Sequence, residues 1–321
     1  MMSEQLYLIN ICDIDLTDQR YKISFTHDCD IKSLAQSIKE AGLICPPIVR
    51  QSDDKYIIVS GFNRIKACIN NHYETIAVHK INSEASEYRC FVQAITALAF
   101  KRQLSQAELI ISIKYLDKFL DKKQIADKSA AILNVELNVR YIKDLLDIAA
   151  LPEPVLDLIH QGNISFKTAK KMLSFQKESI NSFFKIFDKI KASNNKQLEI
   201  MQYIVEISKR DCIELKNFLK NQDIESIILN KNKEPVLKTK LLRDYLYEQR
   251  FPNLSKVRKK VKKKINNLKF GNKIRLSAPE NFESQNYSIS FTAKNYKEFK
   301  TNVKTLNNVL ENKKLKGVFE Q

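Results

Sequence analysis

The sequence predicts an α+β protein. It has a small α/β core at the amino end, an all-helical middle with a helix-turn-helix domain and a helical extension, and a small α+β unit at the carboxyl end. Three observations carry this. In residues 34–81, helical and alternating apolar patterns follow one another almost without slack; from Phe91 to the breaker-rich stretch 230–234 only helical periodicity recurs; after a lysine-crowded helix, alternation returns at 287–292. With 44% hydrophobic and 28% charged residues, the composition is that of a globular chain, and 321 residues allow several domains. The boundaries follow as 1–92, 93–175, 176–234 and 235–321.

Residues 7–11 alternate well enough for an edge strand, and 13–30 are polar and read mostly as loop. Apolar residues at 31, 34, 35, 38 and 41 mark a helix that Asp30 caps and Gly42 ends. Pro46 and Pro47 impose extended backbone, and 48–50 and 56–60 form a hairpin around the turn residues 51–55. Gly61 closes the second strand, and a helix over 62–69 places its first amides and Arg64 at one corner, a pattern that suits an anion or a phosphate. The plainer alternative is a turn glycine beside a solvated arginine.

The middle is helical throughout. Ser105 and Glu108 form a capping box before the stripe Leu109, Ile113, Leu116 and Leu120. A second helix runs over 122–133 with Asn134 as its end, and Asn138 caps a third that buries Ile142, Leu145, Leu146 and Ala149 and points Arg140, Tyr141 and Lys143 outward. Three short helices with a polar face on the last resemble a helix-turn-helix, whose second helix enters the major groove where Arg, Lys and Asn read bases and phosphates. Amphipathic helices continue over 180–190, 196–208 and 211–220 with no catalytic constellation among them.

Charge is segregated. Residues 1–90 carry 10 Lys/Arg against 12 Asp/Glu, while the whole chain is +17, so the basic character belongs to the helical and carboxyl parts and points to a polyanion such as nucleic acid. It is densest at 256–264, where Lys256, Arg258, Lys259, Lys260, Lys262, Lys263 and Lys264 surround an apolar line of Val257, Val261, Ile265 and Leu268. Lys259, Lys260, Lys263 and Lys264 are candidate contacts to a phosphate backbone; a docked amphipathic helix with solvated lysines is compatible with the same pattern. Gly271 ends this helix, two strands follow, and Asn295 caps a last helix using Phe299, Val303, Leu306 and Leu310. No apolar run approaches the roughly 20 residues of a membrane span, and the six cysteines and four histidines lack zinc-ligand spacing, so a cytoplasmic protein with reduced thiols and no metal site is expected.

Several stretches together carry a resemblance. Ser37 to Ile44, Pro47-Ile48-Val49, Val59-Ser60-Gly61-Phe62-Asn63-Arg64 and Thr75-Ile76-Ala77-Val78 resemble, in order and spacing, the amino-terminal core of the ParB/Spo0J family of DNA-partition proteins. Leu104 to Glu108, Leu151-Pro152 and Gly162 to Leu173 are similar to the family's later segments, so the resemblance covers residues 34–173. It implies a ParB/sulfiredoxin-like core, site-specific DNA binding through Asn138, Arg140, Tyr141 and Lys143, a homodimer, a partition ATPase as partner, and a nucleoid-associated location. Family members that use CTP with magnesium as a switch have a Gly-Glu-Arg-Arg box and a Glu-Asn-x-x-Arg motif. Here the box reads Gly61-Phe62-Asn63-Arg64 and the later motif Ala97-Leu98-Ala99-Phe100-Lys101, leaving Gly61, Arg64 and Lys101 as phosphate contacts. Sulfiredoxin shares the core but carries its reactive cysteine where Phe62 stands; Cys68 lies nearly two turns further on.

The expected function is therefore a ParB-like site-specific DNA-binding protein in plasmid or chromosome partition. A CTP-dependent switch or phosphotransferase at Gly61, Arg64 and Lys101, and a transcriptional regulator of a mobile element, are the alternatives.

Overall fold

The computed structural model describes residues 5–25, 28–52, 54–268, 270, 273–279, 286–311 and 313–319; Gly271 lies outside them. The chain divides into two compact units, residues 1–198 and 199–321.

The first unit begins with β1 (Leu6–Asn10), a single 3-10 turn, β2 (Ile14–Asp15), α1 (Asp28–Ala41), β3 (Ile48–Ser52), β4 (Lys55–Ser60), α2 (Phe62–Asn70) and β5 (Thr75–Ile81). The strands form one sheet in the order β1-β5-β3-β4-β2, with β1 antiparallel to β5 and β5 parallel to β3. Ile9, Val49, Ile58, Ile76 and Val78 from the strands meet Ile31, Ala35 and Ile38 of α1 and Ile65, Ala67 and Cys68 of α2 in one core. The alternation read in 7–11 is thus an edge strand, and 48–60 is the expected hairpin.

The segment expected to be polar loop contributes more than that. It contains β2, which pairs with β4, and it buries Tyr21 and Ile23. The Tyr21 ring meets Phe91 edge-on at 4.8 Å, and its hydroxyl accepts from Arg50 Nη1 at 3.3 Å. A tyrosine whose polar tip finds a partner is readily buried even from an irregular segment. α1 also starts two residues before the predicted Asp30 cap.

The helical part of this unit comprises α3 (Glu87–Ala99), α4 (Gln106–Leu116), α5 (Lys122–Leu133), α6 (Val139–Ile148), α7 (Glu153–His160), α8 (Phe166–Met172) and α9 (Lys177–Lys189). The unit division falls within α10 (Asn194–Arg210). There follow α11 (Leu215–Phe218), α12 (Gln222–Ile228), α13 (Pro235–Arg250), α14 (Pro252–Asn266), β6 (Ile274–Ser277), β7 (Ser288–Phe291), α15 (Tyr296–Leu310) and α16 (Lys313–Phe319).

Two helices differ from their sequence patterns. The helix expected at 211–220 is reduced to the single turn α11, because Cys212 takes a left-handed conformation (φ 53°) that breaks helical continuation. In α15 the buried positions are Asn302 and Val309, while Phe299 and Leu310 are exposed. The core it meets is small, formed by Val261, Leu268, Phe270, Ile274, Leu276 and Val318, and a narrow contact selects fewer residues than the apolar pattern offers.

Candidate functional site

α4, α5 and α6 owe their ends to side chains the sequence displays. Ser105 Oγ accepts from the Glu108 amide while the Glu108 carboxylate accepts from the Ser105 amide, and Asp121 and Gln124 repeat the arrangement at α5. Asn134 ends α5 in the left-handed region (φ 54°), and Asn138 Oδ1 accepts from the Tyr141 amide at 2.8 Å to begin α6. Between them, Ser129 Oγ accepts from the Leu137 amide at 3.0 Å, pinning the turn. Ile113, Leu116, Ile125, Ile142, Leu145 and Ile148 are essentially excluded from water, which fixes the rotation of α6 about its axis. Arg140 and Lys143 are thereby left exposed.

Tyr141 does not point outward as expected. Its ring lies 5.3 Å from that of Phe166 and is half-buried, and burial pushes its hydroxyl pKa up. Apolar contact on α8 outweighs solvation of one hydroxyl, so Tyr141 joins α6 to α8. Lys170 Nζ meets Asp144 Oδ1 at 2.6 Å across the same pair. Asn138 is exposed, but its side-chain oxygen is engaged as the cap. The α6–α8 contact places exposed Lys167 and Lys171 on a helix that packs against α6. Sequence reading passed over these two; their spacing of four opposite buried Thr168, Ala169 and Met172 was the available signal.

Gly61 and Arg64 of one segment and Lys101, distant in sequence, line one cavity of about 290 Å³ together with Ser60, Asn63 and Arg102. Gly61 is the N-cap of α2 at φ 101°, a conformation side chains other than glycine's rarely take. A Cβ there would lie 2.9 Å from Pro47 Cβ and 3.0 Å from Arg64 Nη2. Arg64 departs from the expected outward phosphate contact. Its Nη1 donates to the Pro46 carbonyl at 3.0 Å and to that of Cys45, and burial lowers its pKa, with the neighbouring Cys45 acting the other way. The two carbonyls, which precede β3, hold the guanidinium against the cavity wall. Lys101 is exposed at the cavity.

Arg102 pairs with Glu108, whose side chain is 0% exposed, through bonds of 2.7 and 2.6 Å. Burial pushes the Glu108 carboxyl up, but the bonds from Arg102 and the Ser105 amide outweigh it and hold its pKa below the usual carboxylate range. Cys68 is fully buried and burial raises its pKa, the state of an inert thiol rather than a nucleophile.

In the second unit, α14 divides its cations among its faces. Val261 and Leu268 are buried in the carboxyl core, whereas Val257, one turn earlier on the same stripe, is 38% exposed and lies outside that core. Of the four lysines singled out by sequence, Lys259 pairs with Glu248 at 2.7 Å and Lys264 donates to the Gly317 carbonyl. Lys260 and Lys263 face solvent. Among the described residues, no group of three or more His, Cys, Asp or Glu is placed to hold a metal, and no helix is long and apolar enough to cross a membrane.

Comparison with known proteins places these features. Residues 1–95 match the family described as ParB N-terminal domain. The chain is 25% identical over 216 residues to a probable chromosome-partitioning protein ParB of Borreliella burgdorferi, covering 66% of this chain and 79% of that one. Nucleoid occlusion proteins of bacilli are matched at 25–27% identity, over 52–60% of their own length. Two crystal structures of C-terminally truncated ParB from Caulobacter crescentus align weakly. One is complexed with CTP-gamma-S, at 20% identity and a TM-score of 0.28, covering 54% of this chain and 94% of that one. The other is complexed to the centromeric parS site, at 18% and 0.35, covering 60% and 96%. Residues 1–95 thus match the family's amino-terminal domain, and the similarity to a chromosome-partitioning relative extends well beyond that domain.

Proposed function

We propose that the protein is a site-specific DNA-binding protein of plasmid or chromosome partition, acting as a homodimer in the cytoplasm beside a partition ATPase. The observation that carries this reading is α6, which buries Ile142, Leu145 and Ile148 and half-buries Leu146 while Arg140 and Lys143 stand exposed on the face a major groove would meet. Asn138 presents its amide at the start of that helix, Tyr141 sets the helix against α8, and Lys167 and Lys171 supply flanking phosphate contacts. The test is capture and sequencing of DNA from the protein's own replicon. Discrete enriched sites are expected, and their absence would remove the reading. Arg140→Ala should weaken binding to such a site by about 1–3 kcal/mol while leaving non-specific binding nearly unchanged. Electrophoretic shifts with site and scrambled duplexes measure both.

Lys260 and Lys263 would add sequence-independent affinity. Replacing both with alanine should reduce the slope of log K against log salt by roughly 2, as expected for two lost phosphate contacts. An unchanged slope would take the basic helix out of the interface.

A second reading rests on the cavity that unites Gly61, Arg64 and Lys101. The α2 amides and the Lys101 ammonium suit the phosphate end of a nucleotide such as CTP. Arg64 acts there by shaping the wall, since two carbonyls already hold it. Magnesium, if bound, would depend mainly on the triphosphate and water. Equilibrium dialysis with labelled CTP, with and without magnesium, separates a retained switch from a plain DNA binder.

A further inference from the structure

Residues 134–138 join α5 to α6, and their path is fixed by side chains at both ends and in the middle. Asn134 takes the left-handed conformation that ends α5, Ser129 Oγ accepts from the Leu137 amide at 3.0 Å, and the Asn138 side chain caps α6. Leu137, 9% exposed, is the residue by which the turn reaches the core.

Val135 and Val139, on either side of it, do the opposite. They are 40% and 45% exposed, while the other exposed residues of the turn, Asn134, Glu136 and Asn138, are polar. A single exposed apolar residue needs no explanation. Two branched ones so close together on a rigid turn do, because neither gains the burial by which valine stabilises a core, and valine forms helix less readily than alanine or lysine. Stability of the fold therefore does not account for them.

Charge narrows their role. Between Leu133 and Arg140 there is no cation, and Glu136 is an exposed carboxylate, so no side chain of this stretch attracts a phosphate. The cations begin just beyond it: Arg140 follows directly, and Lys143 lies one turn from Val139 on the same side of α6. With those two holding α6 against a duplex, the amino end of the helix stands over base edges in the major groove. The apolar group on those edges is the C5 methyl of thymine, and an aliphatic side chain distinguishes base pairs by touching it.

Resting on the reading of α6 as a DNA-binding helix, we propose that Val135 and Val139 read the 5-methyl groups of thymine in the protein's DNA site, as specificity-determining residues beside the polar contacts of Arg140 and Lys143.

The experiment uses a duplex carrying a site enriched in the DNA capture above, with each thymine in turn replaced by deoxyuridine. Uracil pairs with adenine as thymine does and presents the same O4 acceptor, so only a methyl group is removed. The full-length wild-type protein should lose about fourfold in affinity at one or more thymine positions, the equivalent of one methyl kept from water. The double variant Val135→Ala/Val139→Ala should bind the unmodified duplex more weakly and be indifferent, within about twofold, to the same replacements, since the two losses remove one contact. Both valines are exposed, so the double variant should keep the wild-type thermal midpoint, and the deoxyuridine series on the wild-type protein needs no variant at all. Arg140→Ala should retain the full sensitivity to deoxyuridine, because it removes a polar contact and leaves the valines in place. Site binding that no deoxyuridine replacement weakens, or weakening that the double variant shows in full, would overturn the assignment while leaving α6 as the DNA-binding helix. Absence of any enriched site would remove the DNA-binding reading and this one with it.

Discussion

Arg102→Ala is expected to lower the stability of the amino-terminal unit by roughly 3 kcal/mol, the low end of what breaking a buried pair costs, because Arg102 itself is half-exposed. The loss comes from Glu108, whose fully buried carboxylate would keep only the Ser105 amide as a partner. The effect has a definite pH dependence. In the native protein the Glu108 pKa is depressed, so its contribution is present above the ordinary carboxylate pKa of about 4.3 and disappears as pH falls through the lower folded value. Without Arg102, burial acts nearly alone, the carboxyl protonates at higher pH, and the strain is relieved by neutralisation. The gap between variant and wild type should therefore narrow on acidification from pH 7 toward 4. Urea unfolding at several pH values, with m-values compared to confirm a common transition, measures it. A gap independent of pH would mean that Arg102 stabilises through packing instead.

Gly61→Ala should destabilise by about 2–3 kcal/mol, combining a left-handed conformation forced on a side chain with a contact that cannot be met without movement. The added Cβ would meet Pro47 at 2.9 Å, and proline has little freedom to withdraw. Gly42 is a built-in control. It too has positive φ (76°), but nothing lies within 4 Å of its would-be Cβ, so Gly42→Ala should cost only the backbone preference, about 1 kcal/mol. Equal losses at the two positions would show that the Pro47 contact is absorbed by relaxation. The larger loss at Gly61 should be accompanied by weaker nucleotide binding if the cavity takes a phosphate.

The features legible in sequence are those decided locally. Ser105 with Glu108, Asn134, Asn138 and Asn295 fix helix ends through bonds spanning a few residues, and the structure has each where the pattern placed it. The sheet apart from β2, and its two helices, were legible because prolines, glycines and alternation leave few ways to connect them. What sequence could not convey depends on distant partners. Tyr141 turns inward because Phe166 is there to receive it, and Lys259 is engaged because Glu248 lies opposite. Arg64 is held by carbonyls whose availability depends on the path of residues 45–47. Tyr21 and Ile23 entered the core from a segment with no periodicity to announce them.

The three-sided use of α14 imposes a reading-frame constraint on its evolution. Each residue advances the helix by about 100°, so an insertion between Ser255 and Lys260 would leave Ser255 in place and rotate everything beyond by that amount. The position now held by Val261, 2% exposed, would then fall to Lys260, driving an ammonium into an apolar core. Point substitutions among the lysines are tolerable one at a time, but single-residue insertions and deletions are not. Length variation in this part of the chain is therefore expected before Pro252 or after Leu268, and not within the helix.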